Sequence, residues 1–248
     1  LGVAAIRWRR GYSSLPQQIK RAITEERITV VYQPLVSLRN GHVRGAEVLA
    51  RLTDEHGAEI PPDVFIMIAE EQGDIKSLTR IIIRKSLEEM RLLLKEHSDF
   101  YISLNLSVDD VVDPKMLVFL DSERSRLDIS AQQIVLEITE RSTTHHEQLI
   151  EGMRSFRARG YEFFIDDFGT GYSNLAYMAK LPISGIKIDR MFTQAIGTEA
   201  VSAEIVDNIC NIAARLELKL VVEGVETLEQ AKHVLELHKD AIGQGWLF

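Results

Sequence analysis

The sequence predicts an α/β barrel of eight strands, TIM-like, with the first strand antiparallel to its neighbours. Three observations carry this. Eight apolar, strand-like runs fit within 248 residues, a length at which an α/β barrel can close as one unit. After the opening pair, strand runs alternate with helical runs, as they do when a sheet is parallel. The first two runs are joined only by Arg39-Asn40-Gly41-His42, far short of a parallel crossover. Asn-Gly is also the strongest short hairpin signal. A doubly wound open sheet is the alternative, but no Gly-x-Gly-x-x-Gly follows the first strand.

The elements follow in order. Residues 19–28 read as a lead-in helix, and 29–38 and 43–49 as the first two strands. Pro61 and Pro62 open a helical stretch ending near Gly73. Residues 80–97 form an amphipathic helix with Ile83, Leu87, Met90 and Leu94 on one face. The third strand is 101–106. Asp113-Pro114 sets a capping acid before a proline at the first helical position. The fourth strand is 134–138, continuing into Thr139 and Glu140. Thr144 and Glu147 suit a capping box for a helix through Arg157.

Residues 161–166 are the fifth strand, ending in the doublet Asp166-Asp167. Alternation along a strand would send the two carboxylates apart unless the strand is ending there. The turn beyond holds Gly169 and Gly171 on either side of Thr170, where positive φ is easily adopted. Taken alone, this stretch reads equally as a polar turn or as a cation site. A short helix at 174–179 leads to the sixth strand, 184–189. Ile205, Ile209, Ile212 and Leu216 mark a long helix, and 218–223 is the seventh strand. Thr227 and Gln230 suggest a second capping box for a helix to His238, and 241–248 is the last strand.

Composition sets limits. A formal net charge of -8 argues against a broad basic surface for a DNA or RNA duplex. It leaves room for a small anion bridged to acids by metal. Cys210 is the only cysteine, so no internal disulfide forms, and its helical setting reads as core packing. Residues 1–12 read as a juxtamembrane stub or linker, and 13–248 as one domain. Leu1 to Ile6 are apolar or glycine and precede Arg7-Trp8-Arg9-Arg10. That pattern fits the cytoplasmic end of an upstream membrane helix.

Polar residues recur at or near the ends of strands two to eight: Glu47, Asn105, Glu137, Asp166 with Asp167, Lys187 with Asp189, Glu223 and Gln244. Any one alone is a solvated strand tip. In a barrel, strand C-termini meet at one face, where active sites sit. Carboxylates and an amide oxygen are hard ligands suited to Mg2+ or Mn2+. No His or Cys cluster competes, and His145 and His146 read as surface residues at a helix start. Two cations on shared carboxylates suit in-line attack on a phosphoester. Lys187 can steady anionic charge or orient water, and Glu223 can take its proton.

The motifs YQP at 32–34, GAEVLAR at 45–51, NLS at 105–107, EITE at 137–140, DDFGTGYSNL at 166–175, KID at 187–189, EGVET at 223–227 and QG at 244–245 occur together and in this order. On them the chain resembles the EAL-domain family of cyclic di-GMP phosphodiesterases over nearly all residues after 20. The resemblance implies a barrel with a reversed first strand. It also implies hydrolysis of cyclic di-GMP to linear 5'-pGpG, with Glu47, Asn105, Glu137, Asp166 and Asp167 holding two divalent cations. Lys187 and Glu223 would act at the attacking water, with Glu223 as general base. Gln33, Arg51, Asp189 and Gln244 would contact substrate. Glu140 and Glu226 would support the Gly-rich loop 168–173, which would couple homodimerisation to metal binding.

The chain departs from the family pattern at Val48, where alanine is usual, and at Ala50, Leu52 and Val221-Val222. No ligand is lost, but Val48 beside Glu47 could displace that carboxylate. The family pattern also continues beyond Phe248. The expected setting is the cytoplasmic domain of an inner-membrane protein with an upstream sensor. Two rival functions are a non-catalytic cyclic di-GMP receptor or docking module on the same fold, and a barrel lyase using Lys187 as a Schiff base. Carboxylates around that lysine would keep it charged and disfavour the lyase.

Overall fold

The computed structural model describes residues 14–143, 147–170, 180–198 and 201–248. The expected stub at 1–12, the Thr144 cap, His145, His146, the helix at 174–179 and loop residues 171–173 lie outside them. Nine strands occur among the described residues: β1 (Thr29–Ser37), β2 (Val43–Thr53), β3 (Glu59–Ile60), β4 (Tyr101–Asn105), β5 (Ile134–Thr139), β6 (Glu162–Phe168), β7 (Gly185–Ile188), β8 (Lys219–Glu223) and β9 (Ile242–Gln244). Their order is β1-β9-β8-β7-β6-β5-β4-β2-β3, and β1 also pairs with β2, so eight strands close a barrel. β1 is antiparallel to both β2 and β9, while the other barrel pairs are parallel. β3 is a short antiparallel addition to the far end of β2.

Some boundaries differ from the sequence expectation, each for a local reason. The β1–β2 connection is longer than a two-residue turn. Val36 pairs with Val43, Gly41 takes φ +70°, and Asn40 Oδ1 accepts from the His42 N–H at 3.1 Å. β2 continues to Thr53 because β1 and β3 keep pairing with it. Glu140 leaves the strand for a 3-10 turn at Glu140–Thr143. The helix expected at 80–97 begins at Ile75 and ends at Glu96. The last strand stops at Gln244, because Gly245 with φ +155° breaks the extended run. The predicted caps at Asp113 and Thr227 form: Asp113 Oδ1 accepts from the Lys115 N–H at 2.9 Å, and Thr227 and Gln230 bond reciprocally.

Strand alternation gives the barrel an outer and an inner apolar layer. Ala46, Val48, Ile102, Leu104, Leu136, Ile138, Phe163, Ile165, Ile186, Ile188, Leu220 and Val222 belong to the main core between barrel and helices. Leu35, Val135, Phe164 and Val221, with Tyr101 and Ile242 against them, fill the lower barrel interior. Phe164 reaches across to Gly185, where a Cβ would lie 2.7 Å from its ring. Cys210 is fully buried in the main core, and burial pushes its thiol up to about 12. No helix among the described residues is long and apolar enough to cross a membrane.

Two predictions follow from this packing. Gly45 pairs with Tyr101, and a Cβ there would lie 2.5 Å from the Tyr101 carbonyl oxygen. Gly45→Ala should destabilise the fold by about 1–3 kcal/mol by forcing β2 from β4; an unchanged denaturant midpoint contradicts this. Asp110 is buried and accepts from Ser107 and Thr79. Burial holds its carboxyl above the ordinary range, against those hydrogen bonds and the charge of Lys76. A raised carboxyl gives stability that is full below its unfolded pKa, about 3.9, and lost as pH rises through the folded value. Wild-type stability relative to Asp110→Asn should therefore fall as pH rises from about 4; a flat or rising difference contradicts it.

Candidate active site at the barrel mouth

Inside the barrel, apolar side chains give way to polar ones two residues further along the strands. Glu137 follows Val135, Asp166 follows Phe164, Glu223 follows Val221 and Gln244 follows Ile242. The spacing is set by the strand period, so each polar residue shares the inward face of its apolar predecessor. The register then brings them level. Glu47 pairs with Gln33 and Ser103, Asn105 with Glu137, Lys187 with Val221, and Glu223 with Gln244.

Lys187 stands at the centre and is fully buried. Its Nζ lies 3.1 Å from Glu47 Oε2, 2.9 Å from Glu137 Oε2, 3.1 Å from Asp166 Oδ1 and 2.9 Å from Glu223 Oε1. Glu47 also accepts from Asn105 Nδ2 at 3.1 Å and from Gln244 Nε2 at 2.9 Å. Oxygen atoms of Glu47, Glu137 and Asp166 lie within 4.8 Å of one another.

One ammonium does not neutralise four carboxylates. Burial would drive the lysine to lose its proton, but the surrounding carboxylates hold its pKa well above the ordinary value. Burial pushes Glu137 up to about 8, with Glu47 and Asp166 adding repulsion that Lys187 only partly offsets. Burial likewise lifts Glu223 to about 7. For Glu47, burial acts upward, but Lys187, Gln244 and Asn105 outweigh it and its pKa falls. The two raised carboxyls mark more acid than one lysine balances, and the donors facing it are hard oxygens, a set that matches Mg2+ or Mn2+.

The doublet resolves its alternation conflict by a bulge. The β6–β7 register shifts between Ile165 and Phe168, and Asp167 takes φ +55°, a left-handed value that Asp tolerates better than most residues. Both Asp166 and Asp167 therefore line one cavity of about 350 Å³, with Gln33, Glu47, Glu223, Glu226 and Gln244. Burial, then Asp166 and Asp189, raise the Asp167 carboxyl. Asp189 itself caps the helix Arg190–Thr193, accepting from the Met191 N–H at 2.7 Å. Glu140 is buried and accepts from the Gly169 N–H at 2.8 Å, at the root of the Gly-rich turn.

Arg51 is placed apart from this cavity. Its Nη1 donates to the Ala50 carbonyl at 2.9 Å, and its Nε lies 3.4 Å from Glu59. It lines an adjoining, more apolar groove of about 540 Å³ that also touches Asn105 and Glu137. Val48 is buried in the outer core, on the strand face opposite Glu47. Sequence reading did not single out Arg190, Gln194 or Trp246, which line the acidic cavity. Nor did it mark Tyr101 and Ser103, whose hydroxyls are buried without a hydrogen-bond partner among the described residues. Adjacency to KID and QG was the available signal for Arg190 and Trp246.

Known proteins resemble this chain over nearly its whole length. The family model described as EAL domain matches residues 16–248. The probable cyclic di-GMP phosphodiesterase PdeB of Escherichia coli K12 is 37% identical over 231 residues, 93% of this chain and 44% of the relative. The cyclic di-GMP phosphodiesterase NbdA of Pseudomonas aeruginosa is 31% identical over 236 residues, 94% of this chain and 30% of the relative. This chain therefore spans less than half the length of either. Among solved structures, the PaMucR phosphodiesterase in complex with c-di-GMP aligns with a TM-score of 0.84 at 32% identity, covering 92% of this chain and 93% of that one. Barrel topology, motif order and this match over nearly the whole length agree: the chain belongs to the EAL domain family.

Proposed function

We propose that this chain is a metal-dependent phosphodiesterase module that hydrolyses cyclic di-GMP to linear 5'-pGpG, lowering that messenger in bacterial signalling. The observation that carries the reading is the convergence of carboxylates from β2, β5, β6 and β8 on the Lys187 ammonium at the barrel mouth. The relatives named as cyclic di-GMP phosphodiesterases support the choice of substrate.

Glu47, Asn105, Glu137, Asp166 and Asp167 would hold two divalent cations, Mg2+ or Mn2+. The donor set fits, being all oxygen, with three carboxylates already within 4.8 Å of one another. Bound there, the cations would supply a water of lowered pKa and positive charge for the phosphoryl oxygens. The Asn105 amide N–H bonds Glu47, which leaves its side-chain oxygen to meet a cation.

Lys187 fixes the carboxylates in place and offers its charge to the phosphodiester. Glu223 lines the cavity, is partly open to it, and is set by its bond to Lys187 to take the proton of the attacking water. Gln33 and Gln244 would orient the substrate on the cavity side, Asp189 would do so from the start of the helix Arg190–Thr193, and Arg51 would act from the adjoining groove. Glu140 would steady the loop after β6, and Glu226, on the cavity wall, would share that role. We place the module in a homodimer downstream of a membrane-anchored sensor, with LGVAAIRWRR as the sequence support for the anchor. The receptor alternative gains nothing from Val48, which faces away from Glu47.

Three outcomes test the reading. With Mg2+ or Mn2+ the protein should linearise cyclic di-GMP, and chelation should abolish this. Asp166→Asn and Glu47→Gln should each lower kcat by about a hundredfold or more, as removing a metal-site contact does. Turnover that survives chelation, or variants as active as wild type, would contradict it. Lys187→Met removes the one cation from a buried cluster of acids. In chelator it should cost about 3–5 kcal/mol of stability, and added Mn2+ should recover part of that. A wild-type midpoint in chelator would show that the lysine does not balance the cluster.

A further inference from the structure

The acidic cavity continues to a rim that the proposed chemistry leaves unused. Trp246 lines it with Arg190 and Gln194, and is 89% exposed, more than any other large apolar side chain among the described residues. A lone exposed apolar residue is ordinary on a surface. This one is held in place by its backbone. The Val225 N–H donates to the Gln244 carbonyl at 3.0 Å, and the Leu247 N–H donates to the Val225 carbonyl at 3.1 Å. The segment is thus tied on both sides of Trp246.

Between the ties, Gly245 takes φ +155°, and a Cβ on it would lie 2.3 Å from the Val225 oxygen. Only glycine permits so close a turn. The turn takes Leu247 inward, where it packs against the main core, while Phe248 stays exposed with its ring 3.0 Å from where a Gly243 Cβ would be. Trp246 is left at the edge of the cavity that Glu223 and Glu226 also line.

We propose that Trp246 is a stacking platform for one base of the cyclic dinucleotide, setting affinity and not the chemical step. This rests on the phosphodiesterase reading above. The charged side chains of the cavity wall are acidic except for Arg190, the one cationic side chain among the described residues that line it. The proposed cations would meet the phosphates of such a ligand, and its bases then call for a contact that does not depend on charge. Stacking of a base on an indole face is such a contact, and it tolerates salt. A contribution from the exposed Arg190 would fade as salt screens it.

The chain has two tryptophans, Trp8 and Trp246, so a Trp8→Phe protein reports on Trp246 alone. Cyclic di-GMP titrated with Mg2+ into Trp8→Phe protein carrying Glu223→Gln to slow turnover should quench its fluorescence saturably. With Glu223 intact, Trp246→Ala should raise KM about tenfold at low and high salt alike, with kcat within about twofold. Trp246→Phe should recover most of the loss. Trp246→Leu, apolar but without a π face, should behave as Ala does, which separates stacking from packing; thermal melts check that each variant folds. Unmoved fluorescence and KM in a protein that still hydrolyses cyclic di-GMP would overturn the platform and leave the phosphodiesterase standing. A fall in kcat at constant KM would also overturn it. A wild type that neither binds nor hydrolyses cyclic di-GMP would remove both.

Discussion

A single buried ammonium bonded to four carboxylates from four strands is the constraint on which the rest of the site depends. Lys187 on β7 ties Glu47, Glu137, Asp166 and Glu223 across the barrel interior. A buried ionic cluster is poor evidence of stability, since hydrophobic residues of similar volume often serve as well or better. Its value lies in what it prepares. Charge left uncompensated by one lysine makes the mouth a place where further positive charge is strongly favoured. The strands themselves hold the oxygen atoms in register, a preorganised arrangement that suits a metal site.

Much of this was legible in the sequence because two periodicities coincide. A strand alternates its faces, so a carboxylate two residues after an inward apolar residue must also face inward. A parallel barrel brings all such positions to one end. Glu137 after Val135 and Glu223 after Val221 are local patterns, yet together they specify a common location. The reversed first strand was equally legible, because Arg39 to His42 are too few to cross the sheet. Caps at Asp113 and Thr227 formed as their side chains dictate, since an N-cap is a contact within one turn of helix.

What the sequence concealed depends on single backbone angles and on distant packing. Nothing local announces that Asp167 adopts φ +55°, although that angle brings both aspartates to one cavity. Gly245 ends β9 earlier than the apolar run through Phe248 suggests, because Val225 lies against it. Arg51 belongs by motif to the site, yet its guanidinium lies by Ala50 and Glu59, over the adjoining groove. Arg190 and Trp246 follow recognised motifs by one and two residues, and only the closed barrel sets them on the rim.

The most direct test of the account is a manganese anomalous difference map from crystals grown with Mn2+. Two peaks bound by Glu47, Asn105, Glu137, Asp166 and Asp167, with Lys187 still bonded to the surrounding acids, is the result the account predicts. Manganese bound elsewhere, or a mouth in which Lys187 alone satisfies the carboxylates at saturating Mn2+, would contradict it.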